Sequence, residues 1–265
     1  MSYTALHLER RDHIAWLTLN RPESLNAMNR TLVRELRDFF SGLAADTDTR
    51  VVVLRGAGRA FCAGLDLKQN AGDTNDGSVP AGLRSQREIS ELVIMMRRAP
   101  QPIIACVHGA ACGGGFALAL GADVRLAGTS ARMNAAFIRI GLSACDVGVS
   151  YFLPRMVGAS IAAELLLTGD FIDAARAERL GLVSRVVPDE QLTAAAGETA
   201  ANMLRNTPLG LRLTKECLNA SLDAGSLEQV IAMEDRNQIL CARTEDFREG
   251  ITAFLQKRPP TFSDR

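Results

Sequence analysis

The spacing of apolar residues changes along the chain, and each change predicts an element. Tyr3–Glu9 and Ile14–Leu19 read as β-strands joined by a charged turn at Arg10–His13, with Trp16, Thr18 and Asn20 alternating against Ala15, Leu17 and Leu19. Asn20-Arg21-Pro22 breaks the second strand. From Asn29 the period lengthens: Leu32, Leu36, Phe39 and Leu43 recur at helical spacing, with Asn29 as the N-cap. Val51–Leu54 is a short continuous apolar run, as expected of a strand covered on both faces, and it ends at Gly56-Ala57-Gly58. Ile89, Leu92, Val93 and Met96 mark a second amphipathic helix, which Pro100 and Pro102 end. Ile103–Val107 is another buried strand, Phe116–Leu120 a helix behind three glycines, and Asp123–Ala127 a further strand. Beyond Pro188 the pattern is almost wholly helical. This order predicts an α/β core over 1–200 and a helical region over 201–265. Gln69–Pro80, rich in Gly, Asn and Asp, reads as a mobile loop beside a ligand.

Composition narrows the function classes. A chain of 265 residues, 47% of them hydrophobic, suffices for one large domain. Its 30 Lys+Arg match its 30 Asp+Glu, so nothing points to a nucleic-acid surface or a basic membrane anchor. No apolar run approaches transmembrane length, and Met1–Arg11 mixes charged with apolar residues, unlike a signal peptide. Cys62, Cys106, Cys112, Cys145, Cys217 and Cys241 form no CxxC pair. No metal site is therefore expected, and the thiols read as free, mostly buried groups of a reducing cytoplasmic compartment.

Two loops carry the chemistry. The first is Phe61-Cys62-Ala63-Gly64-Leu65-Asp66-Leu67-Lys68, and the second runs from His108-Gly109 to Gly113-Gly114-Gly115. Each follows a buried strand, and the second opens a helix. Small residues let backbone approach a ligand and leave N–H groups unshielded; at a helix start those groups also lack intrahelical partners. Two such loops side by side could hold an oxygen that turns negative during a reaction. Taken singly, either loop reads more readily as a tight turn with close packing than as a binding site. Neither GxGxxG nor GxxxxGK[ST] is present, which weakens nucleotide readings.

Together the loops resemble a known family. Asn20-Arg21-Pro22 with Asn26-Ala27-Met28, the FCAGLDLK stretch and the run from Pro102 through His108-Gly109 to the triple glycine carry the resemblance. Val157-Gly158, Leu167-Thr168-Gly169-Asp170, Gly181-Leu182-Val183 and Phe254–Arg258 extend it over nearly the whole chain. On these residues the chain is identified as a member of the enoyl-CoA hydratase/isomerase, or crotonase, superfamily. The resemblance implies a crotonase-like spiral of repeated ββα units with a C-terminal helical trimerisation region, assembled as a homotrimer or as a hexamer of two trimers. It implies an acyl-CoA thioester as ligand, with coenzyme A part of the substrate and no separate cofactor. It places oxyanion-hole N–H groups on Leu65 and Gly114. CoA contacts would fall on Ala27, Ala63, Asp66 and Leu67, with Phe254 and Lys257 at the adenine end, contributed in one arrangement by a neighbouring subunit. Phe116, Met133 and Phe137 suggest an apolar acyl pocket, although core packing explains them equally well.

The chain departs from the hydratase pattern where two glutamates would stand, with Ala117 and Phe137 instead. Neither can move a proton, and acid and base groups are each worth roughly 10²–10⁴-fold in such reactions. One carboxylate remains nearby, Asp146, in a loop one residue longer than in relatives that carry an aspartate there. Among Ala144, Val147, Val149 and Phe152 its pKa should rise, which suits an acid–base group. An N-cap for a helix starting near Val149 is the competing role. His7 and His13 read as solvent-facing, His108 and Glu164 as structural partners, and Arg84, Arg87 and Glu88 as a solvated helix face. Three functions stay open: an enoyl-CoA hydratase/isomerase-like enzyme with Asp146 as lone acid–base, a non-catalytic acyl-CoA carrier or sensor, and chemistry with Asp146 as nucleophile, as in 4-chlorobenzoyl-CoA dehalogenases.

Overall fold

A computed structural model of the chain describes residues 3–68 and 78–265. Strands β1 (Leu6–Arg11) and β2 (Ile14–Leu19) pair antiparallel. The turn between them is two residues long, Asp12 and His13, both at positive φ (51° and 61°). Such a turn matches the right-handed twist of a hairpin, so pairing runs on through Arg11, beyond the expected end at Glu9. Helix α1 (Arg30–Gly42) follows, capped by Asn29, whose side chain accepts from Leu32 N. It buries Leu32, Leu36 and Phe39 against the sheet.

The next units repeat one scheme. Strand β3 (Val51–Gly56) joins the large sheet parallel to β2, and helix α2 (Val79–Arg98) leads to β4 (Ile103–Val107), parallel to β3. The chain then lays β5 (Ala110–Cys112) in a second, smaller sheet before helix α3 (Gly114–Gly121). The turn after that repeats the step, with β6 (Val124–Gly128) in the large sheet and β7 (Arg132–Asn134) in the small one. After helices α4 (Val149–Val157) and α5 (Ala159–Thr168), β8 (Ile172–Asp173) completes the small sheet. Helix α6 (Ala174–Arg179) leads to β9 (Arg185–Val187), the last strand of the large one. Among the described residues the large sheet has the order β1-β2-β3-β4-β6-β9 and the small one β5-β7-β8. This is the expected α/β spiral.

Both faces of the large sheet are covered, which is why its strands read as continuous apolar runs. Ala15, Leu17, Val52 and Leu54 face the main core, while Trp16, Val53, Ile104 and Leu126 face helix α7 (Leu192–Leu204) through Leu192, Ala196 and Ala200. The expected division at 200/201 thus falls inside α7, a helix that belongs to the core. The helical extension is α8 (Pro208–Ser221), α9 (Leu227–Ala242) and α10 (Glu245–Gln256). Lys215 ties α8 to the core: its buried ammonium donates to Met96 O (3.0 Å) and Gln101 O (2.8 Å) and pairs with Asp123 Oδ2 at 2.8 Å.

Two expectations need correction. Helix α2 begins at Val79 with Ser78 as N-cap, so Pro80 lies in its first turn; Pro is at home there because its missing N–H would have no partner. The rest of the expected loop, 69–77, lies outside the described residues. The thiols are free, yet only Cys62 and Cys106 are buried, and Cys145 is exposed. No helix among the described residues is long and apolar enough to cross a membrane.

Candidate active site

The site is assembled by backbone pairing between segments far apart in sequence. Leu25 and Asn26 take left-handed φ (53° and 57°) after the Pro22 turn. The buried Asn26 amide donates to Ala57 O and Ala60 O, both at 2.8 Å, and its oxygen accepts from Arg21 N. This fastens Ala27-Met28 alongside the first glycine loop, where Met28 N donates to Gly64 O (2.7 Å) and Asp66 N to Met28 O (3.0 Å). The first loop pairs in turn with the second: Cys62 N donates to Ala110 O and Cys112 N to Cys62 O, both at 3.0 Å.

Two glycines set the direction of the exposed N–H groups. Gly64 has φ +96°, and a Cβ there would sit 2.7 Å from Cys112 O. Gly113 has φ +51° and ψ −118°, a conformation that L side chains rarely adopt, and it precedes the buried helix α3. The next residues, Leu65 and Gly114, line one cleft. Neither of their N–H groups has an acceptor among the described residues. Gly114 is also the first residue of a helix, where the backbone dipole favours negative charge.

The cleft is open to solvent and, counted out to its mouth, holds about 640 Å³ of empty space. Its floor is Ala63, Gly64, Leu65, Gly113 and Gly114, and its walls are mostly apolar, with Met28, Ile89, Phe137, Ile140, Leu142 and Val147. Asp146 is the only ionisable side chain lining it among the described residues. Its Oδ1 accepts from Gln86 Nε2 at 2.6 Å and from Val147 N at 2.8 Å. Burial pushes the Asp146 carboxyl above its ordinary value, against the pull of these two donors. Val147 has φ +48°, costly for a β-branched residue and worth about 1–3 kcal/mol of strain. The helix-cap role is overturned. Helix α4 is capped by Gly148, at φ +83° and without a side-chain bond, and only the Asp146 carbonyl reaches the helix, accepting from Val149 N.

Of the residues expected at the site, Ala63, Leu65, Leu67, Gly114, Phe137 and Asp146 line the cleft. Ala27 and Asp66 are buried beside it. The Asp66 carboxylate is occupied by Arg21, 2.9 Å away, and the other Arg21 nitrogen donates to Ala27 O. Phe116 and Met133 do not line the cleft; at 1% and 0% exposure they are core, where α3 and the small sheet pack. Phe254 and Lys257, at the end of α10, do not line the cleft of their own chain. Gln86 and Val147 escaped the sequence reading as site residues. Gln86 sits on a helix face of charged, exposed neighbours, and nothing in a primary sequence reveals a positive φ at valine. Burial raises the Cys62 thiol to about 12 and Cys112 to about 11, so neither is a thiolate near neutral pH. His108 is structural, with Nε2 2.9 Å from Gly58 O. His7 and His13 are exposed, and Glu164 pairs with Arg176 at 3.0 Å.

The sequence model for enoyl-CoA hydratase/isomerase matches residues 9–265. The chain belongs to the enoyl-CoA hydratase/isomerase family, the crotonases. It is 43% identical to a probable enoyl-CoA hydratase of Mycobacterium tuberculosis over 264 residues, covering 96% of this chain and 90% of that protein. It is 36% identical to the 1,2-epoxyphenylacetyl-CoA isomerase of Escherichia coli over the full length of both. Among solved structures, the enoyl-CoA hydratase of Bacillus anthracis superposes with a TM-score of 0.93 at 32% identity, covering 99% of this chain and all of that one. The crotonase fold and a hydratase/isomerase-type enzyme follow from these likenesses.

Proposed function

We propose that this crotonase binds an acyl-CoA thioester in the cleft and moves a proton on it, with the thioester oxygen held by Leu65 and Gly114 N–H and Asp146 as the lone acid–base group. The observation that carries this reading is that, among the described residues, Asp146 is the sole ionisable side chain lining a cleft that also presents two N–H groups without an acceptor. An enolate oxygen gains most from donors already in place, and losing one typically costs on the order of 10²–10³ in rate. With Ala117 buried at 0% exposure and Phe137 in the wall, no second carboxylate stands among the described residues of the cleft. One carboxylate suffices for double-bond isomerisation. Asp146 takes a proton from the α-carbon of a 3-enoyl thioester, the dienolate forms, and the same carboxyl returns the proton to the γ-carbon, leaving the 2-enoyl isomer. Hydration would need a water oriented by something other than a second carboxylate.

The family relationship and the exposed apolar residues of the last two helices support assembly as a homotrimer or a pair of trimers. Phe254 is 82% exposed and Leu255 74%, and Phe254 with Lys257 would then reach the CoA of a neighbouring subunit.

The test is turnover of crotonyl-CoA and of a 3-enoyl-CoA by the wild type and Asp146→Asn, with binding of each thioester measured in parallel. Turnover lost in the variant with binding kept supports the acid–base role. Binding by both proteins with turnover by neither favours a carrier of acyl-CoA.

A further inference from the structure

We infer that Gln86 is a positioning residue: its carboxamide clamps one carboxylate oxygen of Asp146 so that the other is left free for proton transfer in the cleft. The inference rests on the acid–base reading of Asp146 and deepens it. Asp146 sits in a stretch without regular structure, between a 3-10 turn (Ala136–Ile140) and α4. Its own backbone therefore does little to restrain the side chain. Two donors converge on the same oxygen, Gln86 Nε2 at 2.6 Å and Val147 N at 2.8 Å, and Oδ2 has no partner among the described residues. The Val147 N–H lies in the peptide plane that Val147 shares with Asp146, next to the carboxylate it serves. That contact is internal to the loop. Among the described residues, Gln86 supplies the one side-chain bond that ties Asp146 to another element, helix α2, 60 residues away in sequence.

The clamp also acts on titration. A neutral donor favours the carboxylate, so Gln86 opposes the upward push of burial. The charges on neighbouring elements are engaged elsewhere or face solvent. Arg139 on the 3-10 turn pairs with Asp170 and Arg155 on α4 with Asp223, while Arg84, Arg87 and Glu88 stand exposed on α2.

The experiment compares wild type, Gln86→Leu and Gln86→Glu in two readouts. The first is a carbon-13 NMR titration of the Asp146 carboxyl, assigned with Asp146→Asn, which needs no turnover. The second is the pH profile of kcat/KM for a 3-enoyl-CoA. In Gln86→Leu the carboxyl titration and the acid limb should both move up by about one pH unit, as expected for a lost hydrogen bond to a charged group at a half-exposed site. In Gln86→Glu they should move further, because two carboxylates then face each other. Maximal kcat should fall about tenfold in Gln86→Leu with KM little changed, the mark of lost orientation rather than lost binding. A titration in Gln86→Leu that overlays the wild type overturns the inference. If the titration moves while Asp146→Asn retains full turnover, the clamp stands as geometry, and it is the acid–base reading of Asp146 that fails.

Discussion

Single residues decide whether the cleft can work. Gly64→Ala must hold an L side chain at φ +96° with its Cβ 2.7 Å from Cys112 O. The backbone will turn away and carry the Leu65 N–H with it. We expect kcat/KM for an active thioester to fall on the order of 10²-fold or more, with Kd changing far less. Glu35 illustrates a different use of a carboxylate. Burial pushes its pKa up, but the Thr4, Ala5 and Leu6 N–H groups and the Thr4 hydroxyl outweigh this and hold it below 4.5. A depressed carboxyl contributes stability that is complete above its unfolded value and is lost as pH falls through the folded one. Tm should therefore drop as pH falls below about 4.5, and Glu35→Gln, less stable at pH 7, should flatten that dependence in calorimetry.

Elements carry these residues to their places. Helix α1 depends on the Asn29 cap, so Asn29→Ala should cost about 1 kcal/mol, read as a lower urea midpoint at constant m. Helix α8 is pinned by Lys215, whose ammonium faces two carbonyls and Asp123 in a buried site. Asp123 keeps Arg97 (3.3 Å) and the Ile103 N–H (2.8 Å), so Lys215→Met deprives chiefly the Met96 and Gln101 carbonyls and should destabilise the chain by about 1–3 kcal/mol in denaturant unfolding, the usual cost of leaving buried acceptors unsatisfied. Helix α2 has a double role: Leu92, Val93 and Met96 anchor it in the core while Gln86 and Ile89 border the cleft.

At the scale of the whole molecule, the last two helices leave apolar side chains uncovered. Leu227, Ile231, Ile239, Leu240, Ile251 and Leu255 on α9 and α10 are all exposed in the single chain. Apolar surface of this extent is what the proposed assembly would bury. Sedimentation should give a trimer or hexamer, and Ile251→Arg with Leu255→Arg should shift it toward monomer. Where Phe254 and Lys257 serve a neighbour's site, the same double variant will also weaken thioester binding.

The sequence alone determined the elements, because buried strands and amphipathic helices leave their periods in the order of residues: Val51–Leu54, Ile103–Val107 and the Leu32–Leu36–Phe39 stripe all form as expected. It also marked the two glycine loops, since only small residues allow such close backbone approach, and it showed that Ala117 and Phe137 cannot carry protons. Tertiary structure decided the rest. Phe116 and Met133 look the same in a string whether they line a pocket or fill a core, and burial assigned them to the core. Asp146 before an apolar run reads as a helix cap until the left-handed turn at Val147-Gly148 directs its side chain to Gln86 instead. Contacts spanning 60 residues, and the φ of a single valine, are set by how the whole chain packs, and neither leaves a local signal in the sequence.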